Sequence, residues 1–149
     1  MKRNLSLLLV ILCLCVLLPS ANADIKMEPA SVVTMLESLF TNSEETQFEV
    51  SYDQPSEIYY IYVQQDNIAL ASSLALTNDS YKEQWSSMRT SLSDLCTNAV
   101  DLVKTLTSSK TANVAIFLRN DMNPDKILLG ILNSIVVFDV VDGTDLLGS

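Results

Sequence analysis

Apolar positions change period several times along this chain, and each change marks an element. Leu5 to Leu18 is an almost unbroken apolar run. Further on, Val32, Val33, Leu36 and Phe40 recur at helical spacing, with Met35 and Leu39 widening the stripe. Pro29 suits a first helical turn, where its missing N–H is not needed, and Asn42-Ser43 ends the pattern. Phe48, Val50 and Tyr52 then alternate with Gln47, Glu49 and Ser51, the period of a half-buried strand. After the turn cluster Asp53-Gln54-Pro55-Ser56, the run Ile58 to Val63 is apolar or aromatic on both faces, which predicts a central strand. The two strands read as an antiparallel hairpin.

Residues 68–76 alternate large and small side chains like a strand, yet they are rich in Ala and Leu, which favour a helix. A short helix is the preferred reading, with Asp66 or Asn67 as its cap. Ser80-Tyr81-Lys82-Glu83 has the form of a capping box, Ser at the N-cap and Glu three residues on. From there Trp85, Met88, Leu92, Leu95, Ala99, Leu102 and Leu106 form one apolar seam that predicts a helix to about residue 107. Such a seam fits a coiled coil or a helix laid on a sheet, and the neighbouring strands favour the sheet.

Val114, Ile116 and Leu118 predict another inner strand, and Asn120 to Asp125 turns the chain. Ile127–Leu132 and Ile135–Val140 flank Asn133-Ser134, a two-residue hairpin turn. Pairing 132 with 135 puts Ile131/Val136, Leu129/Phe138 and Ile127/Val140 on one apolar face, leaving Leu128/Asp139 on the other. The predicted fold is α+β: an antiparallel sheet of about five strands, helices on one face, in the order α-β-β-(α)-α-β-β-β. Each half runs helix, strand, Asp…Pro turn, strand (Asp53 with Pro55, Asp121 with Pro124), so two α-β-β units are conceivable beside chance recurrence of turn chemistry.

The apolar start changes what the composition means. Lys2 and Arg3 precede it, and Pro19-Ser-Ala21-Asn-Ala23 follows with an Ala-x-Ala site. That is the layout of a secretory signal peptide cut after Ala23, and its apolar run of 14 residues is short for a bilayer span of about 20. Residues 24–149 then form a single domain, with 142–149 a loose tail and no stable membrane span. Removing Lys2 and Arg3 leaves 7 bases against 18 acids, so the charge moves from −9 to −11. An acidic chain without basic clusters is a poor partner for nucleic acid or anionic lipid. Only Cys96 survives the cut, so no intrachain disulfide forms even in an oxidising compartment. Such sparing cysteine use suits a bacterial source.

Candidate chemistry is sparse. The chain contains no histidine, which removes every imidazole-based mechanism and metal set, and it lacks Gly-x-Ser-x-Gly, a Gly-rich phosphate loop and Cys-x-x-Cys. Asp121, Asn123 and Asp125 open like a calcium loop, with Asp142 or Asp145 available nearby in sequence. The match then fails, since Lys126 replaces the turn glycine and Leu132 the bidentate glutamate. A plain turn explains the three residues equally well, and no other cofactor is indicated. Tyr52, Tyr59, Tyr60 and Tyr62 cluster on the first hairpin, where tyrosines on an outer face would stack on sugars or anchor a protein. Tyr59 points away from Tyr60 and Tyr62 by strand alternation. Trp85 reads as a core anchor, and Cys96 as a buried thiol or else an intermolecular disulfide. Asn78-Asp79-Ser80 is a glycosylation sequon only in a eukaryote.

The helix from Trp85, the segment Asn123-Pro-Asp-Lys-Ile-Leu-Leu129 and the ending Val137-Phe-Asp-Val-Val-Asp-Gly-Thr-Asp145 resemble uncharacterised small exported proteins of Gram-positive bacteria. The resemblance covers about half of residues 24–149. It implies an exported α+β domain and no activity, so no functional residue is carried over. The expected function is a secreted, non-catalytic domain that binds a protein or small ligand. A carboxylate-based hydrolase or a calcium-dependent extracellular protein is the alternative. A self-assembling envelope component joined through Cys96 is a third class.

Overall fold

A computed structural model describes residues 26–148. The expected signal peptide, residues 1–23, and its expected cut lie outside them. Helix α1 (Pro29–Leu39) leads into β1 (Thr46–Asp53) and β2 (Ile58–Gln65). A short helix α2 (Ile68–Ala75) and the long α3 (Asp79–Thr107) precede β3 (Asn113–Asn120), β4 (Asn123–Leu132), β5 (Ile135–Asp139) and β6 (Thr144–Asp145). The fold is α+β, as the apolar periods predict. All six strands lie in one sheet in chain order.

The sheet departs from the expected antiparallel pattern at its centre. β2 and β3 run parallel, Ile61 opposite Ile116, while every other neighbouring pair is antiparallel. Parallel neighbours need a long crossover, and α2 with α3 supplies it. This pairing removes the two-unit idea. Two α-β-β copies side by side with helices on one face would bring antiparallel strands together at their junction, whether shifted or rotated about the sheet normal.

The helices cover one face. Val32 and Leu36 of α1 and Trp85, Leu92, Leu95, Cys96, Ala99 and Val103 of α3 share a core with Val50, Tyr59, Ile61 and Val63, with Val114, Ile116 and Leu118, and with Leu129 and Ile131. The seam of α3 is therefore laid on the sheet. Its buried line passes through Cys96 and Val103, leaving Met88, Leu102 and Leu106 half-buried at the margin.

The caps differ from the sequence pattern. Asn78, not Ser80, is the N-cap of α3, and its side chain accepts from the amides of Ser80 and Tyr81 at 3.0 and 3.4 Å. Starting two residues early lets Asp79 sit in the first turn, where the helix dipole favours an acid. At α2 neither Asp66 nor Asn67 caps with its side chain; the carboxylate of distant Asp121 does.

The C-terminal hairpin turns through Asn133 and Ser134, both at positive φ (48° and 72°), as a two-residue hairpin requires. Its register begins as expected, Leu132 opposite Ile135 and Ile131 opposite Val136. Then Val137 bulges, so Phe138 pairs with Gly130 and Asp139 with Leu129. Phe138 thus moves to the outer face and Asp139 to the inner one, reversing the expected placement of both. Nor is 142–149 a loose tail throughout. Asp142 accepts from the amide and hydroxyl of Thr144, β6 pairs with β5, and the Leu146 amide donates to Val137 O.

Candidate functional site on the uncovered sheet face

Strand alternation and the two-residue register place a second set of side chains opposite the helices. One row crosses the sheet as Glu49, Tyr62, Phe117, Gly130 and Phe138, and the next as Ser51, Tyr60, Ala115, Leu132 and Ile135. Tyr60, Tyr62 and Phe117 form a triangle, with ring centroids 5.9–6.0 Å apart and planes within 29° of parallel. None of these rings belongs to the buried core. Among the described residues no helix or loop layer covers them, so a sheet face of this composition is left partly exposed to solvent.

Polar groups edge the rings. The guanidinium carbon of Arg119 lies 3.8 Å from the Tyr62 ring centroid, and Arg119 Nη1 donates to Glu49 Oε2 at 2.8 Å. This ion pair is mostly solvated, so it positions groups more than it stabilises the fold. Gly130 opens room between the aromatics. A Cβ there would stand 2.9 Å from Phe117 Cε1 and 3.4 Å from Phe138 Cβ. The glycine therefore lets the Phe117 ring close over the β4 backbone.

The four tyrosines of the first hairpin divide evenly. Tyr60 and Tyr62 belong to this face. Tyr59 is buried at 5% exposure on the inner face, and its ring lies 4.6 Å from that of Tyr52. Burial first, and Tyr52 second, push the Tyr59 phenol above its ordinary pKa. Phe117, Arg119, Gly130 and Phe138 were not legible as site residues. Phe117 and Arg119 carry the alternation signal, but Phe138 joins them only through the bulge.

The inner side of that bulge holds a buried carboxylate. Asp139 is 1% exposed. Its Oδ1 accepts from Trp85 Nε1 and from the Val141 amide, both at 2.9 Å, and its Oδ2 accepts from Arg89 Nη1 at 3.1 Å. Arg89 also pairs with Asp142. Desolvation raises the Asp142 pKa, but hydrogen bonds from Thr144 and the Arg89 charge outweigh it and hold the carboxyl below its ordinary value. Asp139 is buried and accepts three hydrogen bonds, two at Oδ1 and one at Oδ2, so it fastens β5 and the C-terminal segment to α3.

The calcium-like triplet is taken apart in the fold. Asp121 Oδ2 accepts from the Asn67 amide at 2.8 Å and Oδ1 from the Ala69 amide at 2.9 Å, capping α2 across more than 50 residues of chain. Asn123 opens β4 opposite Asn120, while Asp125 is exposed. Asp142 is held by Arg89, and Asp145 accepts from the amides of Leu147 and Gly148. No group of three His, Cys, Asp or Glu side chains among the described residues is arranged to hold a metal ion.

Cys96 is fully buried, with Sγ 3.4 Å from Val114 O. Burial pushes its thiol pKa up, against a smaller opposing effect of backbone hydrogen bonds at Ser134 and Asn133. A bond from Cys96 to another molecule would require opening the core, which removes the disulfide-linked assembly. Surface hollows lie elsewhere. One of about 270 Å³ lies between the end of α1 and β1, lined by Glu37, Phe40, Asn42, Phe48 and Val50. Another, of about 430 Å³, lies beside α2 and the β3–β4 turn, with Leu70, Leu76, Met122 and Val140 in its wall. Neither brings two carboxylates together. Among the described residues no helix is long and apolar enough to cross a membrane.

Fold and site together define a one-sided α+β domain: helices seal one sheet face, and aromatic side chains occupy the other. No protein-family model, curated protein or solved structure matches the chain.

Proposed function

We propose that this protein is an exported, non-catalytic domain that binds a protein or small ligand through its uncovered sheet face. The carrying observation is the Tyr60–Tyr62–Phe117 triangle with Arg119 and Glu49 at its edge, outside the core and under no second layer among the described residues. Tyr, Phe and Arg are the side chains on which interfaces concentrate their energy, because each offers large rigid area with a polar tip or a fork of donors. Export rests on the basic start, apolar run and Ala-x-Ala site of residues 1–23.

The test compares wild-type protein with a Tyr60→Ala/Tyr62→Ala variant, both immobilised and exposed to envelope extract of the producing cell and to host extract. Species held by the wild type and lost by the variant, at unchanged circular dichroism, are the expected result. A wild-type protein that retains nothing, or a variant that retains as much, removes the reading.

A further inference from the structure

The charge on this protein is distributed in a way that selects among partners for the sheet face. Residues 24–149 carry −11, yet the charges beside the aromatic triangle are one acid and one base, Glu49 and Arg119, paired with each other, while Asp53 and Asp145 stand at the margins of the face. Around them the face is Tyr60, Tyr62, Phe117, Leu132, Ile135 and Phe138. Ile135 is 62% exposed at the hairpin end. A basic partner drawn by the acidic body would find nothing to pair with here. The surface that matches an electrically neutral, aromatic, flat sheet face is another of the same kind.

Resting on the binding role proposed above, we infer that the occupant of this face is a second copy of the chain, packed sheet to sheet about a two-fold axis. A two-fold contact is self-complementary, so the single Glu49 and single Arg119 of one copy meet the Arg119 and Glu49 of the other. Area supports this. Five strands about 4.8 Å apart and eight residues of about 3.3 Å give roughly 600 Å² of flat face. A face of that size matches a weak interface, which buries less than about 1,200 Å² in total over both partners. A glycan is a poorer occupant, because one face of the Tyr62 ring is already covered by the Arg119 guanidinium.

Sedimentation of the purified protein, at low and at high salt, decides the matter. Two acidic bodies repel, and salt screens that repulsion without weakening apolar contact, so dimerisation should tighten as salt rises. Ile135→Glu and, separately, Tyr60→Glu should weaken it by roughly tenfold or more. Leu70→Glu, at a comparably exposed site on α2, should leave it unchanged. A monomer at every salt and high micromolar concentration overturns the dimer, as does a dimer sensitive to Leu70→Glu but not to Ile135→Glu. If the protein is monomeric while capture from extracts still depends on Tyr60 and Tyr62, the dimer falls and the binding role stands; if capture is absent too, both fall.

Discussion

Replacing Asp139 by alanine should be among the most damaging single changes in this domain. The carboxylate accepts the Trp85 indole N–H, and it also receives the Val141 amide and the Arg89 guanidinium. Alanine leaves Trp85, which is 4% exposed, with a buried donor and no acceptor, a loss of about 1–3 kcal/mol. Breaking a buried charged pair from one side costs about 3–5 kcal/mol in all, and Arg89 keeps Asp142 as a second partner, which argues for the lower half. We therefore expect about 3–4 kcal/mol, a large share of the roughly 5–15 kcal/mol that stabilises a domain of this kind. Urea unfolding followed by far-ultraviolet circular dichroism measures it, since the signal does not depend on Trp85. Trp85→Phe should cost less, about 1–2 kcal/mol, because it removes the donor and leaves the carboxylate its other two partners. The double variant should then show coupling of about 1 kcal/mol. A loss below about 1 kcal/mol for Asp139→Ala, or coupling indistinguishable from zero, would refute the placement of this carboxylate at the centre of the network.

Other consequences are separable from this one. Asp121→Ala removes both amide acceptors at the start of α2 and should destabilise the protein by about 1–2 kcal/mol, with faster hydrogen exchange at the Asn67 and Ala69 amides. Gly130→Ala gains about 0.5–1 kcal/mol of strand preference but pushes Phe117 aside, so stability should change little while association through the sheet face falls. Because Asp142 has a lowered folded-state pKa, its contribution is present above the ordinary aspartate value near 3.9 and disappears as pH falls through the folded value; being partly exposed, it amounts to less than about 1 kcal/mol, measurable as a smaller acid-induced drop in melting temperature for Asp142→Asn. Millimolar calcium or EDTA should leave the melting temperature where it was, given that the oxygens of Asp121 already accept from backbone amides.

Elements with a strong period were legible and their partners were not. The α3 seam and the β1–β2 hairpin follow from spacing alone, because helix and strand place side chains on faces by local geometry. The direction of β3 beside β2 is decided by how α2 and α3 carry the chain back, and nothing local to Ile58–Val63 or Val114–Leu118 encodes it. Capping misled in the same way. Ser80 with Glu83 is a good local pattern, yet Asn78 reaches the free amides first, and Asp121 caps α2 from a different part of the sheet. As for the site, Tyr60 and Tyr62 were visible as aromatics on one side of a strand. Arg119 and Phe117 join them only because β3 lies parallel at that register. One overlooked signal was Asp139 itself, an acid inside Val136-Val-Phe-Asp-Val-Val141. A charge within an apolar run is usually buried against a partner, and Trp85 was the available donor.

The bulge at Val137 ties the stability of the domain to its candidate function. Without the extra residue, Phe138 would face the helices beside Leu129, and Asp139 would sit in the outer row opposite Leu128. The indole of Trp85 would then lose its acceptor, and the aromatic face would end at Gly130. With the bulge, the same two residues exchange faces: the carboxylate fastens β5 to α3, and the phenylalanine extends the aromatic row across Gly130. A regular strand cannot serve both purposes, because its two-residue alternation puts neighbouring side chains on fixed opposite faces. The irregularity therefore serves both faces, with a buried hydrogen-bond network within and Phe138 paired opposite Gly130 without. Changes at Asp139 and at Gly130 test the two halves of one device: the first should be read in stability, the second in association.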